Sequence, residues 1–160
     1  HRGRVIDPFV GGNRKTACKV GEAPLWTAAA MQALSRPLTA VYSIGFAPTP
    51  PDVRSIRKGL YQNTVLSTRA PILALWAEVF WVEAGDKVRL RITAPDGGLI
   101  FDYSDILPKR QARRTISAGR KKPGPFWPAG TYHGEIVVER RDTSGKTRRF
   151  TARRAVELKH

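Results

Sequence analysis

The feature that most constrains the fold is a pair of apolar segments joined by a short turn, residues Ile72–Pro95. The first segment, Ile72–Val82, is apolar at odd and even positions with one charge at Glu78, which is typical of a strand covered on both faces. The second segment, Lys87–Thr93, alternates apolar with basic or polar residues, as a strand with one solvent-facing side does. Gly85 in the turn can adopt a positive φ. The stretch therefore predicts a β-hairpin around which a β-rich fold packs.

Strand-like segments also occur on both sides of this stretch, and residues that favour turns separate them. They are Gly3–Val10, Thr39–Ala47, Leu99–Tyr103, Ala112–Ser117, Thr131–Arg140 and Phe150–Leu158. Two short helices are predicted, one over Ala28–Leu34 capped by Thr27 and one within Asp52–Tyr61 capped by its first residue. About seven strands at this spacing indicate an all-β fold, an immunoglobulin-like β-sandwich with a short N-terminal helical segment.

The net charge of +15 has two interpretations. It can attract nucleic acid, an anionic membrane surface or an acidic polymer. It can also reflect an arginine-rich, solvated surface, and the dispersed rather than blocked basic residues favour this second interpretation. The sequence contains no run of about 18 apolar residues that would predict a membrane span. Because the chain opens at His1 without a signal-peptide pattern, we expect it to be a piece of a longer protein.

Motifs that would carry catalysis are not found in the sequence. The histidines are His1, His133 and His160, and none has a second His or Cys at the spacing of metal ligands. The single cysteine, Cys18, has no histidine near it in sequence, and it is either a free thiol or half of a bridge to a residue outside this chain. Neither a nucleophile elbow nor a phosphate-binding loop occurs. We therefore expect this chain to be non-enzymatic and to hold no metal or cofactor.

The first candidate binding segment mixes basic and aromatic residues before a predicted strand. Arg120, Lys121 and Lys122 precede Phe126 and Trp127. Cations beside aromatic rings suit stacking on sugar or base faces. The alternative is that the two aromatic residues fold back and plug one end of the sandwich.

A second basic cluster comprises Arg110, Arg113 and Arg114, which could bind an anion or simply face solvent.

A possible interface follows from the two apolar faces of Ile72–Val82. One face packs in the sandwich core, with Trp76 or Trp81 as the core aromatic, and the other needs a cover. The cover is expected to be the helical segment Trp26–Leu34 or a partner. Trp26, Trp76 and Trp81 are therefore the candidate interface residues.

The N-terminal residues Gly3–Val10 read GRVIDPFV. They resemble the closing segment, G-x-V-[VI]-D-P, of the catalytic domain of lysostaphin-type (LytM-like) zinc metallopeptidases, which cleave peptidoglycan cross-links. Four further stretches are similar to the C-terminal extension of such proteins in Gram-negative bacteria. They are Pro24–Thr27, Ser43–Ala47, Ala84–Asp86 and Trp127–Tyr132.

This resemblance implies a non-catalytic piece of a periplasmic enzyme. Residues 1–24 would be the tail of a missing catalytic domain plus a linker, and residues 25–160 the accessory sandwich with its leading helix. The family's zinc ligands, in His-x-x-x-Asp and His-x-His motifs, are absent from this chain, so zinc is implied only in the parent catalytic domain. The implied partners are that domain and peptidoglycan or an envelope protein. The alternative function is a stand-alone basic module for nucleic acid or anionic glycan.

Overall fold

A computed structural model describes residues 26–30, 39–141 and 144–160 of the chain. The chain divides into two compact units, His1–Pro37 and Leu38–His160. The predicted boundary after residue 24 lies outside the described residues and stays a prediction. The segment Gly3–Val10 and Cys18 lie outside the described residues. In the first unit, Thr27 accepts a hydrogen bond from the amide of Ala30 at 3.2 Å, as expected of the predicted helix cap.

The second unit is a sandwich of two sheets, with one short helix, α1 (Val53–Arg57). The three-stranded sheet contains, in spatial order, β1 (Ala40–Ala47), β3 (Ile72–Val82) and β6 (Gln111–Lys121). The five-stranded sheet contains, in spatial order, β2 (Val65–Ser67), β8 (Thr147–Lys159), β7 (Gly130–Arg141), β4 (Lys87–Thr93) and β5 (Leu99–Ile106). The described part of the chain has no helix that is long and apolar enough to cross a membrane.

The topology confirms the predicted immunoglobulin-like sandwich. All strand pairs are antiparallel except β2 with β8, and the two sheets face each other across one core. Tyr132, near the start of β7, donates a hydrogen bond from its hydroxyl to the carbonyl of Pro128 at 2.9 Å. This is the arrangement of the tyrosine corner that is found in immunoglobulin-like sandwiches. Sequence patterning missed β2, which has only three residues.

The predicted hairpin is wrong in one respect, because β3 and β4 do not pair with each other. β3 pairs with β1 and β6, whereas β4 pairs with β5 and β7 in the opposite sheet. The turn at Gly85, with φ 87°, therefore carries the chain from one sheet to the other. The physical reason is that both strands have an apolar face to bury. Placing them in facing sheets lets Leu75 and Leu90 share one core.

The second apolar face of β3 is covered by α1 and the segment that follows it. Trp76 and Ala74 pack there with Ile56 of α1, and Tyr61 lies against the same cluster. Asp52 caps α1 as predicted, accepting hydrogen bonds from the amides of Arg54 and Ser55. Trp76 is fully buried in this second cluster, on the face of β3 that α1 covers, and its predicted contact with a partner stays a prediction.

Trp81 is turned out of the core by its backbone. Its φ of 52° is in the left-handed region, which a bulky residue rarely adopts. As a result Val82, and not Trp81, lies in the core, while Trp81 is 40% exposed. Its carbonyl accepts hydrogen bonds from the Thr39 hydroxyl at 2.7 Å and from Arg140 at 2.9 Å. Trp81 is therefore not the predicted core aromatic, but it is accessible as the interface prediction requires.

Candidate functional site

The loop between β6 and β7 contains the first predicted binding cluster, and its two aromatic residues have different places. Trp127 is 1% exposed, its Nε1 donates to the carbonyl of Ala70 at 2.8 Å, and its ring packs edge-on against Tyr132. Trp127 therefore plugs one end of the sandwich, which was the alternative to binding, and it is too buried to stack on a ligand. Phe126 is 45% exposed and remains accessible.

Basic side chains surround Phe126. The guanidinium of Arg69 lies 5.5 Å from the ring centroid and the Lys122 ammonium 6.0 Å, and the His160 ring is also 6.0 Å away. The Lys122 ammonium also donates to the carbonyl of Pro125 at 2.7 Å, which holds it beside the loop. This group is a small cationic and aromatic patch on the loop between β6 and β7.

The other two basic residues of that cluster, Arg120 and Lys121, lie at the end of β6 and contact residues other than Phe126. Arg120 donates to the carbonyl of Ile100 on β5 at 3.1 Å, and Lys121 is exposed opposite Ile72 of β3.

The second predicted cluster is separated by the geometry of the strand. Arg113 and Arg114 are neighbours on β6, so their side chains point to opposite faces of the sheet. Arg113 lies on the outer face beside Glu78, whereas Arg114 is opposite the core residue Val79. Arg110 lies before β6, where it pairs with Glu83 at 3.3 Å and stacks 5.8 Å from the centroid of Trp81. The three arginines therefore do not form one anion site.

The outer face of the three-stranded sheet contains a groove of about 550 Å³. We call it the β1–β3–β6 groove. It is bounded by β1 on one side, by β6 on the other and by α1 with the following turn at one end. The lining residues are Tyr42, Ser43, Ile56, Arg57, Gly59, Gln62, Glu78, Phe80 and Arg113.

Glu78 lies at the floor of this groove and is 2% exposed. Arg113 binds it in a bidentate manner, with Nε at 2.8 Å from Oε1 and Nη2 at 2.5 Å from Oε2. Arg57 approaches through Nε at 3.6 Å, and the hydroxyl of Thr115 donates to Oε1 at 3.4 Å. The hydrogen bond to Glu78 raises the pKa of Arg113, so the guanidinium stays charged.

An aromatic wall stands beside this charged floor. Tyr42 is 68% exposed, and its ring lies 5.1 Å edge-to-face from that of Phe80. The guanidinium of Arg113 lies 5.5 Å from the centroid of Phe80. The groove thus combines an aromatic surface with two arginines that are positioned by one buried carboxylate, an arrangement suited to binding a ligand with a ring and a negative charge.

The outer face of the five-stranded sheet is charged but largely self-paired. Arg89 and Arg91 on β4 both bind Asp102 of β5. The hydrogen bond from Arg89 is the main cause that lowers the pKa of Asp102 to about 2. On β8 and β7, Arg149 pairs with Glu139 at 2.7 Å and Arg153 pairs with Glu135 at 2.7 Å. This interleaving reduces the positive potential that a nucleic-acid surface would need.

Sequence reasoning missed most of the groove. Glu78 was visible as the lone charge in an apolar strand, but Arg57 and Tyr42 gave no signal because they join it only through folding. Among the residues that the structure describes, no three His, Cys, Asp or Glu side chains are grouped as metal ligands would be. Trp26 is 41% exposed in the first unit, and its role at an interface stays a prediction.

Comparison with known proteins leaves the family of this chain open. No protein-family model matches the chain, and no curated protein matches it. Solved structures that match the chain include the β-glucuronidase of Parabacteroides merdae, at 12% identity and a TM-score of 0.44. The match covers 76% of this chain but only 14% of the glucuronidase chain, and it carries no argument about activity.

Proposed function

We propose that this chain is a non-catalytic accessory region of a periplasmic zinc metallopeptidase that cleaves peptidoglycan, and that its sandwich contacts the cell wall or positions the peptidase. The resemblance of Gly3–Val10 to the closing segment of lysostaphin-type catalytic domains suggests the parent enzyme. The catalytic domain would be the main partner and would hold the zinc, with peptidoglycan or an envelope protein as a further partner.

The observation that carries the binding role is the β1–β3–β6 groove. Most of its side chains project from strands and a capped helix, which hold a binding surface more rigidly than loops do. The buried Glu78 is committed to Arg113 in a bidentate pair, so it is not a free base for catalysis. An aromatic wall and exposed cationic donors instead favour recognition of a polymer with rings and charges.

Sedimentation with purified peptidoglycan sacculi tests the proposal. The chain is expected to sediment with sacculi, and Tyr42→Ala should weaken this because it removes the exposed half of the aromatic wall. Val65→Ala, which trims an exposed apolar side chain on β2 outside the groove, is the matched control and should leave sedimentation unchanged.

Two results would overturn the proposal. One is a chain that stays in solution with sacculi and binds DNA or heparin with a steep salt dependence, which would favour the alternative of a stand-alone basic module. The other is an upstream coding sequence without the His-x-x-x-Asp and His-x-His motifs.

A further inference from the structure

We infer that the β1–β3–β6 groove recognises a carboxylate group on its ligand, through Arg57 and Arg113 beside the aromatic wall. The identity of the natural ligand rests on the proposed function, whereas the carboxylate specificity rests on the groove itself. Three observations support it: the arginine N–H donors that do not bind Glu78, the net positive charge of the groove and the exposure of its aromatic side chains.

The two arginines retain N–H donors that Glu78 does not use. Arg113 donates to Glu78 from Nε and from Nη2, so the N–H groups of its Nη1 remain available to a ligand. Arg57 faces Glu78 only through Nε, at 3.6 Å, so both of its terminal nitrogens remain. Among the described residues these remaining nitrogens have no hydrogen-bond partner. A guanidinium presents its donors in a planar fork that matches a carboxylate.

The charge of the groove is also unbalanced. Two guanidinium groups face one carboxylate, and Glu78 is the only acidic residue among the described residues that line the groove. The buried Glu78 fixes the position of Arg113, whose side chain is partly exposed, while half of the Arg57 side chain is exposed at the rim. An incoming anion therefore meets pre-positioned cations without first breaking the Glu78–Arg113 pair.

The aromatic wall indicates what the carboxylate is attached to. Tyr42 lines the groove while most of its side chain is exposed, and its ring contacts the ring of Phe80 edge-to-face. A flat aromatic face beside a charged donor pair fits a sugar ring that bears a carboxylate. It also fits the free carboxyl end of a short peptide, and the experiment separates these two sources.

The test measures binding of paired small probes to the whole chain by ligand-observed NMR titration. N-acetylmuramic acid and N-acetylglucosamine differ mainly by a carboxylate-bearing lactyl group. The blocked dipeptide N-acetyl-D-alanyl-D-alanine and its C-terminal amide differ only in the C-terminal group, which is a carboxylate in the first and a neutral amide in the second. We expect at least one acid to bind about tenfold more tightly than its neutral counterpart, as a charge-assisted hydrogen bond would provide. The pair that shows the difference identifies the source.

Arg57→Gln is the informative variant, and Arg54→Gln is its matched control. Both arginines lie on α1, but only Arg57 lines the groove. Arg57→Gln should weaken binding of the preferred acid about tenfold and leave its neutral counterpart unaffected, while Arg54→Gln changes neither. Arg57 is half exposed and its ion pair is long, so the variant is expected to fold, which thermal unfolding checks.

Equal binding of acids and neutral probes, or equal effects of the two variants, would overturn the inference. The outcomes also separate the two proposals. A chain that sediments with sacculi but does not discriminate the probes rejects carboxylate recognition alone. A chain that discriminates the probes but does not sediment with sacculi rejects the proposed function alone.

Discussion

The ion pair between Asp86 and Arg140 is expected to be one of the main stabilising contacts of the sandwich. Asp86 is 1% exposed in the turn between β3 and β4, and Arg140 reaches it from β7. Nε of Arg140 donates to Oδ1 at 2.7 Å and Nη2 donates to Oδ2 at 2.6 Å. The same guanidinium also donates to the carbonyl of Trp81, and the amide of Glu83 donates to Asp86 at 2.8 Å.

Replacing Arg140 with glutamine should lower the free energy of unfolding by about 3–5 kcal/mol, because the variant leaves a buried carboxylate without its counter-charge. The matched control is Arg149→Gln in the same sheet. Arg149 also donates through Nε to a carboxylate at 2.7 Å, that of Glu139, but its side chain is mostly exposed. Solvent screening limits the expected cost of the control to about 0–1 kcal/mol.

Urea unfolding of the wild-type chain and both variants measures these differences. The comparison requires that the slope of the unfolding free energy against urea concentration is the same for all three proteins. A double variant in which Asp86 is also replaced, Asp86→Asn/Arg140→Gln, should cost less than the sum of the two single changes because it removes the uncompensated charge. Equal costs for Arg140→Gln and Arg149→Gln, or additive single changes, would refute the argument that burial makes this pair important.

Two further predictions concern other parts of the sandwich. Because the pKa of Asp102 is lowered from 3.8 to about 2, chiefly by Arg89, its ion pair stabilises the fold above about pH 4. This contribution should be lost as the pH falls towards about 2, and Asp102→Asn should flatten that part of the stability profile measured by urea unfolding. Gly45→Ala should destabilise the fold by about 1–3 kcal/mol, because the added Cβ would lie 2.5 Å from the Trp76 ring. Gly124→Ala, with nothing within 4 Å of its added Cβ, should be neutral when both variants are measured by urea unfolding, and similar results for both variants would contradict the packing argument.

The positions of the strands were largely predictable because each strand has its own local pattern. The alternation in Lys87–Thr93 is the whole of β4, and the doubly apolar run Ile72–Val82 is the whole of β3. Turn residues bounded both segments correctly. The weakly patterned Ala112–Ser117 proved to be the first half of a longer strand, β6, since pairing along the full length of β3 extends it.

The partners of those strands were not predictable in the same way. An apolar strand, a turn with Gly85 and an alternating strand suit a hairpin and an inter-sheet connection equally well. The choice depends on which arrangement buries the most apolar surface, and that is a property of all eight described strands together. Trp81 shows the same limit, because parity placed it in the core and a single left-handed residue turned it out.

The sequence by itself determined that this chain forms an all-β sandwich, because strand periodicity and turn chemistry are local properties that no distant contact overrides here. It also marked Glu78 as an unusual charge in an apolar strand. Only the tertiary structure decided what surrounds that charge. Arg57 and Arg113 come from elements 21 and 35 residues away in the chain, and Tyr42 comes from the neighbouring strand β1. These residues meet at Glu78 because of strand order and register, so no characteristic spacing in the sequence reveals that they are neighbours.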